Sequence, residues 1–212
     1  MPDIPIQVFG GIKNGAVSAN SGDWNVVHRR ILAQIDGYKR VESIGKSMKR
    51  DAFEFSSRIA RALYPDDYVA QAKELRNWGG LYNSVASSSN IFSPAETERI
   101  KERIATDIFK DGYSSAARWF GRQQTAKRRI SSELDGAGNA VKAAFSEAEK
   151  SNPADFERQL EELGKIIEGE RLLAAAEKKR EAEKAKPRPQ KPDKSRFSIF
   201  TTRGLDGKIA TA

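Results

Sequence analysis

No cysteine occurs among the 212 residues, which excludes disulfide staples, zinc knuckles and thiol nucleophiles and fits a reducing compartment. Histidine is nearly absent too: His28 stands alone beside Arg29 and Arg30. The Glu-x-x-His spacing of carboxylate-bridged metal bundles is missing, because Asn25 holds the glutamate position, so His28 reads as an ordinary helix histidine. No apolar run approaches the roughly 18–20 residues of a membrane span. The opening Met1-Pro2-Asp3-Ile4-Pro5 lacks the charged-then-apolar pattern of a secretory signal. The expectation is a soluble protein, cytoplasmic or held within an assembled particle. No nucleophile–base pair, metal-ligand spacing or cofactor motif is visible, so no catalytic, cofactor or metal residues are assigned. A carboxylate-dependent enzyme ranks third among the function classes, since acidic pairs such as Asp66-Asp67 and Glu161-Glu162 suit a helix start and a solvated helix face.

What is present is charge and helical periodicity. Hydrophobic residues make up 38% of the chain and charged ones 31%, with a formal net charge of +8. Residues 1–93 carry +3, residues 94–170 carry −2 and residues 171–212 carry +7. The basic excess therefore belongs to the C-terminal end, which argues for an interaction arm.

Residues 1–22 alternate Ile4, Ile6 and Val8 but contain Pro5 and four glycines, which predicts a flexible, extended N-terminal arm. From Trp24 the apolar positions Val27, Ile31, Ile35, Tyr38, Val41, Met48, Ala52, Phe55, Ile59 and Ala62 recur at gaps of three, four or seven. This stripe fits one bent helix, two helices or a coiled-coil strand, with breaks expected near Gly37 or Gly45. A shorter helix follows Pro65 and ends at Gly79-Gly80, and 83–90 reads as a polar loop. Ser93-Pro94-Ala95-Glu96 is a capping box with proline at the first turn and predicts a helix start. Gly112 marks a weak point before a pattern through Trp119, Ala126, Ile130 and Leu134. A short helix is expected from Ala140 to about Glu149, and another after Asn152-Pro153. Beyond Ala176 the helix has no large apolar residue and is expected to project into water.

These readings predict a mainly α protein, a helical bundle with elongated or coiled-coil-like packing left open, plus flexible N- and C-terminal arms. Its parts are the arm 1–22, a helical body 23–176, a projecting charged helix 177–186, and a basic proline-rich tether with a docking peptide, 187–212.

Two segments carry candidate interaction chemistry. Gly45-Lys46-Ser47 is only the end of a phosphate-loop motif, with Arg40 where the first glycine belongs, and it lies inside a helical pattern. The stronger cluster is Arg118, Arg122, Lys127, Arg128 and Arg129, a stretch with no acidic residue between Asp111 and Glu133. On a helix, Arg118, Arg122 and Arg129 share a face that can follow a phosphate backbone without reading sequence. The competing reading is a solvated face opposite acidic neighbours.

In the tail, three prolines interleaved with Lys and Arg predict an extended spacer. Beyond it Arg196, Phe197, Ile199, Phe200 and Arg203 are the candidate partner-binding residues, able to form a hairpin or add a strand to a partner's sheet. The function expected from the whole is a non-enzymatic assembly or scaffold subunit, such as an internal or minor component of a virion. Its body would pack or oligomerise through the Trp24–Ala62 stripe. The alternative is sequence-nonspecific binding of DNA or RNA.

Overall fold

The structure, a computed structural model, describes residues 4–20 and 22–186. The tether and docking peptide, including Arg196, Phe197, Ile199, Phe200 and Arg203, lie outside the described residues. Among the described residues eight α-helices follow one another: α1 Ile6–Ala19, α2 Trp24–Ser47, α3 Arg50–Leu63, α4 Tyr68–Ala86, α5 Pro94–Thr106, α6 Tyr113–Asp135, α7 Asn139–Ser151 and α8 Phe156–Ala185. A short 3₁₀ turn, Ile108–Asp111, joins α5 to α6, and no strand occurs among the described residues. The protein is mainly α.

Several helices start where side-chain chemistry prescribes. Ser93 accepts from the Glu96 N–H while Glu96 reaches back to the Ser93 N–H, closing the capping box. Asp67 accepts from the Ala70 N–H at the start of α4, and Asp155 from the Arg158 N–H at the start of α8. Gly112, at φ 83°, ends the 3₁₀ turn in a conformation that costs a residue with a Cβ.

Two local expectations are overturned, and one left open is decided. The extended arm read over 1–22 is instead a helix from Ile6 to Ala19, because Ile12 and Ala16 are buried with α1 packed on α2. Tertiary burial of that stripe outweighs the roughly 1 kcal/mol each interior glycine costs. The 24–62 stripe forms two helices, one of the alternatives left open, with the break at Met48 and Lys49, where the backbone turns extended, a few residues past Gly45, while α2 runs unbroken through Gly37 and Gly45. Those glycines are spacers for close packing. A Cβ on Gly37 would stand 2.6 Å from Val69 N and 2.7 Å from Tyr68 C, and one on Gly45 would meet the Phe53 ring at 2.9 Å. Thirdly, α4 runs through Gly79-Gly80 to Ala86, so the first half of the polar loop read over 83–90 is helical. Its serines do not break the helix, since the Ser84, Ser87 and Ser88 hydroxyls donate to the carbonyls of Gly80, Asn83 and Ser84.

The helix order repeats. Ile6 and Pro94 begin α1 and α5, Ser47 and Asp135 end α2 and α6, and Tyr68 and Phe156 begin α4 and α8. Each pair is 88 residues apart (94 less 6, 135 less 47, 156 less 68). Buried positions coincide at the same separation: Ile12 with Ile100, Ala16 with Ile104, Gln71 with Gln159 and Leu75 with Leu163. Within α2 and α6 the register slips by one residue, so Val27 answers to Ala116, Gln34 to Gln123 and Val41 to Ile130. The fold is thus two successive four-helix repeats.

One hydrophobic core joins them: Phe55, Ile59, Trp78, Leu81 and Val85 of the first repeat with Ile100, Ile104, Trp119, Phe120, Ile130, Phe145, Phe156 and Leu163 of the second. A smaller cluster of Val41, Ile44, Ala60, Ala72 and Leu75 lies inside the first repeat. The chain divides after Ile167. In the second part, α8 continues to Ala185 with every residue from Glu168 to Lys186 exposed.

Candidate interaction surfaces

Buried polar side chains are where a site would be sought first, and here the buried glutamines cluster around the starts of α4 and α8. Gln34 accepts from the Tyr68 N–H at 2.7 Å and donates to Asp67 at 3.0 Å. Gln123 accepts from the Phe156 N–H at 2.7 Å and donates to Glu157 at 3.0 Å. Four residues past each capping aspartate, Gln71 donates to the Tyr64 and Pro65 carbonyls and Gln159 to the Asn152 carbonyl. One device is built twice, on Pro65-Asp66-Asp67-Tyr68-Val69-Ala70-Gln71 and on Pro153-Ala154-Asp155-Phe156-Glu157-Arg158-Gln159. It supplies partners for N–H groups at a helix start that the helix itself leaves unbonded. Burial pushes the Asp67 carboxyl up, but the Gln34 hydrogen bond and the Ala70 and Val69 N–H groups outweigh it and hold the group below its ordinary value.

The basic stripe of α6 is real, but partly neutralised. Arg118, Arg122 and Arg129 line one groove of about 480 Å³, with Thr125 between them and Glu157 and Leu160 of α8 opposite. Arg122 pairs with Glu157 at 2.9 Å and Arg129 with Glu133 at 3.3 Å. Lys127 turns off the stripe into a half-buried position, 2.6 Å from Glu96 and 3.9 Å from Glu149, with its ammonium 5.0 Å from the centre of the Phe156 ring. Burial raises the Glu96 carboxyl, yet the Lys127 and Ser93 hydrogen bonds prevail and its pKa lies below the usual value. Arg118 and Arg128 remain exposed and form no ion pair among the described residues. Trp119 and Phe120 are core residues, as their spacing implied.

Other candidates resolve simply. His28 is exposed on α2. Gly45-Lys46-Ser47 is the last turn of α2, where the Ser47 hydroxyl donates to the Ile44 carbonyl, so its backbone is helical and forms no phosphate cradle. Among the described residues no group of three or more carboxylates and histidines is placed to hold a metal ion, and no helix is long and apolar enough to cross a membrane.

Comparison with known proteins finds no family model, no curated protein and no solved structure that matches the chain. Its surfaces must therefore speak for themselves.

Two features escaped the sequence reading. In the first repeat only Arg50 and Arg58 form ion pairs among the described residues, which leaves Arg29, Arg30, Lys39 and Arg40 of α2 as exposed cations. The stripe opening at Trp24, expected as the packing or oligomerising face, turns mostly into the protein's own interior, with Val27, Ile35, Val41, Ala52, Phe55 and Ile59 buried, while Trp24 is 73% exposed. Ile6 and Phe9 of α1 are exposed as well. Comparing the sequence with itself at a separation of 88 would have revealed the repeat, through the shared Pro-x-Asp-aromatic-x-x-Gln pattern.

Proposed function

We propose that this protein is a non-enzymatic assembly or docking subunit: a two-repeat helical body that presents interaction surfaces and carries a C-terminal docking peptide. It would act in the cytoplasm or inside an assembled particle, such as a minor internal component of a virion. The observation that carries this reading is the use of side chains. Buried glutamines serve helix starts, whereas large apolar side chains at Ile6, Phe9 and Trp24 face solvent. Large apolar side chains left in water are where a partner's apolar surface can be buried. The test is a pull-down comparing the intact chain with one truncated after Lys186. Loss of the protein partner on truncation supports the docking peptide, and unchanged capture assigns docking to the helical body.

A second reading, binding of DNA or RNA through phosphates, is favoured by the exposed cations Arg29, Arg30, Lys39 and Arg40 on α2 and Arg118 and Arg128 on α6, which form no ion pair among the described residues. Such binding weakens steeply with salt, because releasing the same counterions into a more concentrated solution gains less free energy. Retention of nucleic acid that does not change between low and moderate ionic strength would remove it.

A further inference from the structure

Inside the chain, the second repeat docks on the first through a defined set of contacts. Trp78, Leu81 and Val85 of α4 are buried, and α5 and α6 pack on that helix. Tyr113, the first residue of α6, meets the Trp78 ring edge-on with centroids 5.7 Å apart. Lys101 of α5 holds its ammonium 4.5 Å from the centre of the Tyr82 ring. Thr97, on α5, is buried.

The same positions in the other repeat stand open. Trp24, the first residue of α2, is the counterpart of Tyr113, yet no described helix covers it. Phe9 answers to Thr97 at the 88-residue separation, and it is exposed. At the receiving end, Leu173 of α8 answers to Val85, whereas Ile166, which answers to Trp78, packs against the protein's own core. Val85 is fully buried, whereas Leu173 is 64% exposed and Leu172 beside it is similarly open. Lys13 answers to Lys101 and Glu170 to Tyr82, so the contact between an ammonium and an aromatic ring would become one between an ammonium and a carboxylate. Hydrophobic and charged groups are thus complementary between the α1–α2 surface and the α8 stripe.

We propose that the protein self-associates head to tail, α8 of one copy receiving α1 and α2 of the next as α4 receives α5 and α6 within a single chain. Repeat architectures remain soluble by placing polar faces on their terminal repeats, and here both surfaces equivalent to the internal junction carry exposed apolar side chains. The contact is heterologous, joining two different surfaces, so it propagates into a ring or an open array and does not stop at a dimer. This inference deepens the assembly reading by naming a second copy of the chain as one partner.

Mass measured by light scattering or sedimentation over a wide concentration range tests it on the intact chain. The wild type is expected to grow beyond two copies. Trp24→Glu and Leu173→Glu each remove one surface from an exposed position, so each variant alone stays at the mass of one chain. Mixed together, they pair through their intact surfaces and stop at two copies. Lys13→Glu and Glu170→Lys provide an independent check: each alone weakens association and the double variant restores it. A wild type that stays at one-chain mass at every concentration overturns the proposal, as does association untouched by these substitutions. If the wild type remains single yet captures a partner through its C-terminal segment, the assembly reading stands and this inference falls.

Discussion

At the scale of single residues, the energetic weight lies on polar side chains that complete helix starts. Gln123 is fully buried and is the acceptor for the Phe156 N–H, so Gln123→Ala leaves that donor without its acceptor in the core. The expected cost is about 1–3 kcal/mol, read as a lower denaturation midpoint. Gln34→Ala should cost less, because its bond to Tyr68 is only partly buried. Equal losses at both sites would show that burial does not set the difference. Glu96 gives a pH prediction. Its pKa in the folded protein lies below the ordinary value, since the Lys127 and Ser93 contacts outweigh burial. A depressed carboxylate contributes stability above its unfolded pKa, about 4.3, and that contribution is lost as pH falls through the lower folded value. Glu96→Gln should therefore lower the melting temperature at neutral pH and reduce its fall between neutral and acid conditions. An acid limb identical to the wild type's would refute this assignment.

Helices here depend on how closely they approach one another as much as on their own propensities. Glycine in the middle of α2 looks like a defect by propensity, yet Gly37 lies against the backbone of Tyr68 and Val69. Gly37→Ala therefore improves local helix propensity while forcing α2 away from α4. The net expectation is destabilisation by about 1–3 kcal/mol, the usual cost of overpacking, measured by denaturant titration. A stabilised variant would mean that the two helices separate freely. The capping box at Ser93 was legible from residue types alone because its hydrogen bonds span only three residues. The Gly37 contact was not, because its partners Tyr68 and Val69 lie some thirty residues away in sequence.

For the whole molecule, the deciding feature is a core shared by both repeats. Leu81 of α4 and Phe120 of α6 belong to the same cluster, so neither repeat can open fully without exposing the other's apolar surface. The amides of Leu81 and Phe120 are expected to exchange with solvent through one global opening of equal free energy. A difference larger than about 1 kcal/mol, roughly a factor of five to ten in the opening equilibrium, would show that the repeats unfold separately. The doubled helix order also explains why the arm expectation over 1–22 failed. Seen singly, Ile4-Pro5-Ile6 and the glycines resemble an irregular lead-in. In the fold, Ile12 and Ala16 hold the places of Ile100 and Ile104, and burial against α2 makes the segment helical.

The sequence by itself determined the helical class, the capping box at Ser93, the break at Gly112 and the long charged stretch of α8, because each rests on near-neighbour chemistry or on a 3.6-residue period. Only the tertiary structure decided that residues 6–19 are helical and that the 24–62 stripe splits at Met48. It also decided that Lys127 serves the interior rather than a cationic face, and that Trp24 stands in solvent. Those outcomes depend on contacts between segments far apart along the chain, where burial and charge pairing override local preference.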